Sequence, residues 1–504
     1  MFTKRSVRYW CLACLAGLLS TAACAAPAPA ANPTQPPAPA VQAAAQTAPA
    51  TVPAGQAAPF SLEGNWDGSI KVANQDIGMV IRFTGSGSEA KGTMDIPAQS
   101  AKDIPLSKVD LSAPKVHFEA FSGQRLAVYD GQVQADGSIS GLFTQAGYTG
   151  TFTLKRATAQ AAPTAVPVPY KQEEVTVKNG AASLAGTLTL PPTGGPFPAV
   201  VLITGSGAQN RDEEVFGFQP FRLIADHFTR NGIAVLRMDD RGVGGSTGDV
   251  ANATSEDFAG DIAAAVAMLK GRPDINPKQI GLLGHSEGGI IAPMVADRNS
   301  DVAFVILMAG PGVNGGQIVV QQLADLMKAQ GQPQAAIDEA VAQQKQVVQA
   351  VVTGEGWDAV KAFLRPKVQT QIAALSAEQR TALGDEQAAV DKAVQAQLDA
   401  VNSPWYKFFI TYDPAPALSK AKIPVLALFG GKDVQVSAAL NEPAVKAALA
   451  QGGNTQVTTK VYPDANHLFQ PATTGSIDEY AKLKTFVPGF LDDLVKWIKG
   501  TVKG

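Results

Sequence analysis

The chain has 504 residues, 45% hydrophobic and 17% charged, which is more than one average domain needs and too apolar overall for an unfolded polymer. Its net charge of -3, without basic runs, points away from nucleic acid as a partner. All three cysteines fall at positions 11, 14 and 24, so the sequence downstream holds no disulfide, thiol nucleophile or cysteine metal site.

Taken in chain order, Lys4, Arg5 and Arg8 precede an apolar run from Trp10 to Leu19 and then the small residues Ala22-Ala23-Cys24-Ala25-Ala26. Residues 1–26 read as a signal peptide, too short to span a bilayer, so the chain is expected to be exported. Two processing outcomes are open: cleavage after Ala26, or cleavage before Cys24 with lipid attachment there, although Thr21 departs from the usual aliphatic residue of a lipobox. That lipid is the one expected membrane link. Residues 27–59, rich in Ala, Pro and Gln, form a linker that has too little apolar surface to bury a core.

From 60 to 156 the sequence alternates over short runs, Gly78 to Phe83, Val116 to Phe121, Leu126 to Val133 and Ile139 to Thr144, separated by turn signals such as Asp136-Gly137. This predicts a small antiparallel β domain, an open sheet or a barrel. Trp66 with Gly68 near its start and Gly147-Tyr148 near its end resemble lipocalin-like domains. A packing or substrate-presenting module is the reading favoured for it. A second linker, 157–171, leads to residues 172–504.

In that last segment the strand Ala199 to Ile203 is followed by Thr204-Gly205-Ser206-Gly207-Ala208-Gln209-Asn210-Arg211-Asp212-Glu213, and Ile233 to Arg237 by Asp239-Asp240-Arg241-Gly242-Val243-Gly244-Gly245-Ser246. The second run suits a turn, with Asp240 and Arg241 expected to pair; Arg211 and Asp212 could bind a polar group or form a loop ion pair. Next, Ile280-Gly281-Leu282-Leu283 leads into Gly284-His285-Ser286-Glu287-Gly288 and a helix from Gly289 to Asp297. A serine flanked at two residues on each side by glycine, between a strand and a helix, fits a turn too sharp for larger neighbours and lifts its hydroxyl above the sheet. Its bland alternative is a small residue required by the turn. His285, its neighbour, is expected to pack beside that turn.

The strand Val302 to Met308 is followed by about a hundred residues before the next strand, far beyond what a crossover needs. Val319, Leu323, Leu326, Ile337, Val341, Val347, Val348 and Val351 recur at helical spacing there. The insertion, about 313–403, reads as helices burying their own seam and, functionally, as a cap over Ser286. Trp405-Tyr406-Lys407-Phe408-Phe409 closes it, and Trp405 and Tyr406 are either core residues or the lining of a substrate pocket.

The strand Ile423 to Phe429 then presents Asp433, and the strand Gln456 to Val461 presents His467, the one histidine of four that lies downstream of that acid. The order serine, acid, histidine suits acyl transfer, because a serine hydroxyl needs an imidazole to take its proton and a carboxylate to orient the imidazole. Asp464 and Asp413 are alternative acids.

From Gln172 onward these motifs resemble the α/β-hydrolase superfamily, and more narrowly bacterial exported serine esterases related to dienelactone hydrolases and prolyl-oligopeptidase-like peptidases. The resemblance implies a mostly parallel sheet with flanking helices. It also implies an oxyanion hole from the backbone N–H groups of Ser206 and Glu287, with Gly207 a second possibility in the first loop, where many relatives have His in place of Thr204. It implies a small-molecule ester as substrate and no metal or organic cofactor. The expectation is a carboxylesterase; a peptidase of the prolyl-oligopeptidase type would show the same trio, though no propeller repeat is visible, and a third reading is a non-catalytic protein on a hydrolase scaffold.

Overall fold

The computed structural model describes residues 61–502 apart from 73–74, 97–100, 123–124, 146–147, 158–167, 208, 374–379 and 381–384. The expected signal peptide with Cys24, the first linker and most of the second therefore lie outside the described residues. No helix among the described residues is long and apolar enough to cross a membrane.

The amino-terminal segment closes into a barrel of eight antiparallel strands: β1 (Gly64–Val72), β2 (Gln75–Thr84), β3 (Lys91–Ile96), β4 (Ala101–Asp110), β5 (Lys115–Ser122), β6 (Arg125–Val133), β7 (Ile139–Gln145) and β8 (Tyr148–Arg156). Each strand pairs with the next, and β1 pairs back with β8, Trp66 opposite Arg156. Closure removes the unpaired edges that an open sheet would expose. The inward-facing set is aromatic: Trp66, Phe83, Phe118, Tyr129 and Phe152 are buried, with Phe118 stacked on Tyr129 at 4.4 Å between ring centroids. Side chains thus fill the interior. Arg156 lies 4.7 Å over the Trp66 ring and donates to the Glu63 carbonyl at 2.9 Å, which ties the seam where the barrel closes. β3 and β4 escaped the sequence reading because their alternation is broken by register shifts between Met94 and Ile96 and between Leu106 and Lys108.

Downstream, β9 (Lys171–Asn179), β10 (Ala182–Leu190), β11 (Phe197–Ile203), β12 (Ala234–Met238), β13 (Ile275–His285), β14 (Val302–Met308), β15 (Val425–Gly430) and β16 (Val457–Tyr462) form one sheet in the order β9-β10-β12-β11-β13-β14-β15-β16. β10 runs antiparallel to both its neighbours and the other pairings are parallel. The near-continuous burial of β11 to β15 reflects helices on both faces. One face is covered by α1 (Pro220–Arg230) and, at the end of the chain, Phe490–Thr501; the other by α2 (Ser255–Lys270) and α3 (Gly288–Arg298). The chain leaves β11 for β12 on one side and returns to β13 on the other, so the strand order reverses there. Loops at the carboxyl ends of strands around such a reversal form the natural crevice of an open α/β sheet.

The residues between β14 and β15 carry α4 (Gly315–Ala329), α5 (Gln334–Thr353), α6 (Trp357–Ala373), α7 (Glu386–Val401), α8 (Pro404–Thr411) and a short α9 (Ala415–Lys420). Expected to bury a seam of their own, they do so only in part: Leu323, Met327, Ile337 and Ala340 form a separate small cluster. Ile318, Val319, Val347, Val351, Phe409 and Ile410 instead join the core that includes β13, β14 and α3. Helical periodicity is the same whichever surface covers the stripe, so the sequence could not show this partner.

Candidate active site

Ser286 stands between β13 and α3 with φ at +53°, a left-handed conformation that a serine rarely adopts and that costs on the order of 1–3 kcal/mol. Its backbone N–H donates to the Met308 carbonyl of the neighbouring strand at 2.9 Å, which helps hold the turn. The flanking glycines have a steric reason. A Cβ on Gly284 would sit 1.9 Å from the Gly288 carbonyl oxygen, and one on Gly288 would sit 2.3 Å from the Ile203 oxygen and 2.8 Å from the Thr204 oxygen. Gly288→Ala must therefore push β11 and the loop after it away from the turn. The expected cost is about 3 kcal/mol or more in stability and a loss of turnover of about a hundredfold or more from misplaced groups; a thermal melt with an ester assay checks both, and an unchanged melt with unchanged turnover would refute this account of the turn.

Asp433 follows β15 and His467 follows β16, and their loops meet: His467 Nδ1 lies 2.8 Å from Asp433 Oδ2. The other carboxylate oxygen, Oδ1, accepts the backbone N–H groups of Gln435 at 2.8 Å and Val436 at 2.9 Å, so both oxygens are held. Asp433 and His467 are 6% and 5% exposed. Low dielectric around such a pair strengthens the bond that selects the imidazole tautomer. The His467 loop is itself turned by Asn466, fully buried, whose side-chain oxygen accepts from the backbone N–H groups of Leu468 and Gln470. The imidazole of His467 packs against that of His285, ring centroids 4.7 Å apart, which brings it beside the turn that carries Ser286. Ser286 Oγ makes no hydrogen bond among the described residues; such bonds commonly tighten only when substrate is bound. The alternative acids are engaged otherwise: Asp413 Oδ1 accepts the Ala415 N–H two residues on at 3.0 Å, and Asp464 accepts the Ala472 N–H through its backbone carbonyl.

The loop after β11 packs onto the same turn. A Cβ on Gly205 would meet Ser286 Cβ at 3.1 Å, so the residues around Ser206 face the serine across van der Waals contact. Glu287 opens α3, and among the described residues its backbone N–H has no acceptor. The loop is braced from below by Asp240, which accepts the Thr204 hydroxyl at 2.6 Å and the Gln209 N–H at 2.9 Å. Desolvation in the folded loop pushes the Asp240 carboxyl up to about 8, the bonds from Thr204 and Gln209 opposing the rise. The expected pair between Asp240 and Arg241 does not form. Arg241 turns away to Asp261, with Nη2 to Oδ1 at 2.8 Å, because Asp240 is committed to the loop above it.

Arg211 and Asp212 resolve as loop ion pairs. Arg211 binds Asp239 through Nε at 3.1 Å and Nη2 at 2.8 Å and reaches Glu174, while Asp212 pairs with Arg237. Trp405 and Tyr406, expected either as core residues or as the lining of a substrate pocket, are 8% and 1% exposed and belong to the main core. Trp405 stacks on Phe409 at 5.6 Å and donates its indole N–H to Glu287 Oε1 at 2.8 Å, an oxygen that also accepts the Ser255 hydroxyl at 2.6 Å. An aromatic run at a helix start does not reveal which face is covered, and here α4 and α5 cover it.

With this geometry in place, a model of the family described as serine aminopeptidase, S33, matches residues 218–470, half of the chain. The chain belongs to this family. It is thus an esterase-type serine hydrolase of the α/β-hydrolase superfamily. Esterase EstD of Thermotoga maritima is 26% identical over 333 residues, which cover 66% of this hydrolase and 68% of that relative. Among solved structures, the Pyrococcus furiosus esterase Pf2001 is similar at a TM-score of 0.38 and 14% identity, covering 66% of this chain and 91% of that one. The α/β hydrolase GrgF of Penicillium sp. sh18 is similar at 0.39 and 17%, covering 67% and 98%.

Glu213 and Asn466 were not singled out from the sequence. Glu213 has φ at +49° and is 1% exposed, features of the folded loop that residue type does not betray. Only its place at the end of the 204–213 motif could have marked it.

Proposed function

We propose that this hydrolase is an exported carboxylesterase acting on small to medium acyl esters through an acyl-enzyme. The observation that carries the reading is the 2.8 Å contact between His467 and Asp433 beside a serine held at positive φ. Ser286 Oγ forms a bond to the ester carbonyl carbon as His467 Nε2 takes its proton. The backbone N–H groups of Ser206 and Glu287 receive the negative charge that develops on the carbonyl oxygen. The tetrahedral species collapses, the C–O bond to the alcohol breaks, and His467 returns the proton to the departing alkoxide. Water then repeats the sequence on the acyl-enzyme and releases the acid. Asp433 keeps the imidazole in the needed tautomer and stabilises its cation.

A peptidase reading is favoured by one specific observation, the aminopeptidase description of the family. Acyl-transfer machinery does not reveal the leaving group. A panel of chromogenic acyl esters run beside aminoacyl and peptidyl amides separates the two: esters cleaved with amides inert supports the esterase, and the reverse supports the peptidase. Export, with Cys24 free of lipid or acylated, belongs to this reading and is checked by mass spectrometry of the mature amino terminus.

The insertion acts in this reading as a cap. Support comes from α4, which packs into the main core through Ile318 and Val319 and carries Asp325, a half-buried carboxyl raised by burial against the opposing Gln321 and Lys328, with Asp433 adding to the rise. Because the insertion shares the main core, point changes on α4 test the role better than deletion. Asp325→Leu should shift kcat/KM toward longer acyl chains by about tenfold, the scale of a methylene or two in an apolar pocket. A chain-length series measures it, and an unchanged profile in a folded variant would remove α4 from the acyl site.

A further inference from the structure

One buried network joins the three loops that meet at Ser286. Glu213 Oε1 accepts the backbone N–H of Gly205 at 2.7 Å and lies 2.8 Å from His285 Nδ1. His285 Nε2 lies 3.0 Å from the backbone carbonyl oxygen of His467. Glu213 is 1% exposed and His285 3%. The first loop is that after β11, the second the turn carrying the nucleophile, the third the loop of the proposed base.

The proton inventory is decisive. A carbonyl oxygen is an acceptor only, so His285 must donate from Nε2. If His285 is neutral, its Nδ1 is then a bare lone pair facing Glu213 Oε1, and a carboxylate there would repel it. Both contacts are bonding only when the pair carries one further proton, as imidazolium with carboxylate or as imidazole with carboxylic acid. Among the described residues Glu213 Oε2 is buried without a partner, so a proton placed on it would have no acceptor there. The proton therefore lies between Nδ1 and Oε1, and the pair as a whole is neutral.

We propose that Glu213 and His285 are a proton-sharing positioning pair that keeps the loop of Gly205 and the loop of His467 in register with Ser286. The proposal rests on the acyl-transfer reading above for what is being positioned. Neutrality of the pair matters because His467 must become a cation in the transition state, and an uncompensated charge on the ring 4.7 Å away would oppose that. The charged or titratable groups facing the pair are Asp433 after β15, Asp240 after β12, Glu287 on the elbow and His467 itself. Burial opposes a charged His285, yet Glu213, the His467 carbonyl and Asp433 together raise its proton affinity above that of an ordinary imidazole. A raised value in the folded state means that the stabilisation is complete below the ordinary imidazole value and is lost as pH climbs through the raised one. The network should thus impose an alkaline limb on kcat.

The experiment compares full-length wild type, Glu213→Gln and Glu213→Ala with a chromogenic acetyl ester from mildly acidic to alkaline pH. In Glu213→Gln one amide atom takes the place of Oε1, so the side chain keeps one of the two contacts, to Nδ1 as NH2 or to Gly205 as oxygen, and carries no titratable proton. Glu213→Ala should lower kcat about a hundredfold with KM changed less than about threefold, the pattern of misaligned groups rather than lost binding. Glu213→Gln should recover about tenfold of that and lose the alkaline fall. Proton NMR of the wild type should show two far-downfield imidazole resonances, one removed by Glu213→Gln and the other by Asp433→Asn. Ser286→Ala should keep both while abolishing turnover, so a failure of the nucleophile assignment is read separately from a failure of the pair. A folded Glu213→Ala variant with wild-type kcat, a Glu213→Gln variant that keeps the alkaline fall, or a wild-type spectrum in which Glu213→Gln removes no resonance would overturn the proposal. Should Glu213→Ala not fold, the Gln variant and the spectra decide alone.

Discussion

Ser286→Ala should reduce ester turnover by on the order of a millionfold, leaving only what binding and the oxyanion donors contribute, because a nucleophile and its base act as one unit. The fold should survive. Alanine removes a hydroxyl that has no hydrogen bond among the described residues, while the bond from the residue 286 N–H to the Met308 carbonyl is untouched. Positive φ at this position is no harder for alanine than for serine. A fluorophosphonate probe should label wild type at this serine and leave the variant unlabelled. Labelling or turnover that persists in the variant would move the nucleophile elsewhere in the chain.

Asp433→Asn should leave the loop intact and lower turnover roughly ten thousandfold. The side-chain oxygen can still accept the N–H groups of Gln435 and Val436, so the asparagine amide nitrogen is left facing His467 Nδ1. It then donates where the carboxylate accepted, and the imidazole is held with its proton on the side meant for Ser286. The acid-to-amide change thus inverts the tautomer without opening a cavity. Asp464→Asn should do far less, since Asp464 is exposed and accepts the Ala472 N–H through its backbone carbonyl, which the change leaves in place. Equal losses in the two variants, or a larger one at 464, would reassign the acid while leaving the enzyme class as it is.

Much of the scaffold was legible because strand cores and turns obey short-range rules. Val302–Met308 has the bounds read from its apolar run, and the other parallel strands differ from theirs by a few residues, since burial on both faces writes an uninterrupted hydrophobic string. The turn at Ser286 was legible because its glycines answer a clash a few residues away. The hairpin of β9 and β10 was not, for Lys171–Asn179 at the sheet edge is largely polar and exposed. Nor was closure of the barrel, since the pairing of β1 with β8 spans the whole segment and leaves no local trace.

Sequence by itself determined the order serine, acid, histidine at strand ends and the class of sheet that would present them, because those features depend on residue type and near-neighbour geometry. Only the tertiary structure decided that Arg241 serves Asp261 while Asp240 braces the loop of Thr204, that Trp405 anchors Glu287, and that Glu213 reaches both Gly205 and His285. These choices join residues from eight to more than a hundred positions apart. A buried polar group must find a partner somewhere, but which partner is set by how the sheet stacks its loops, and no spacing in the chain encodes that distance.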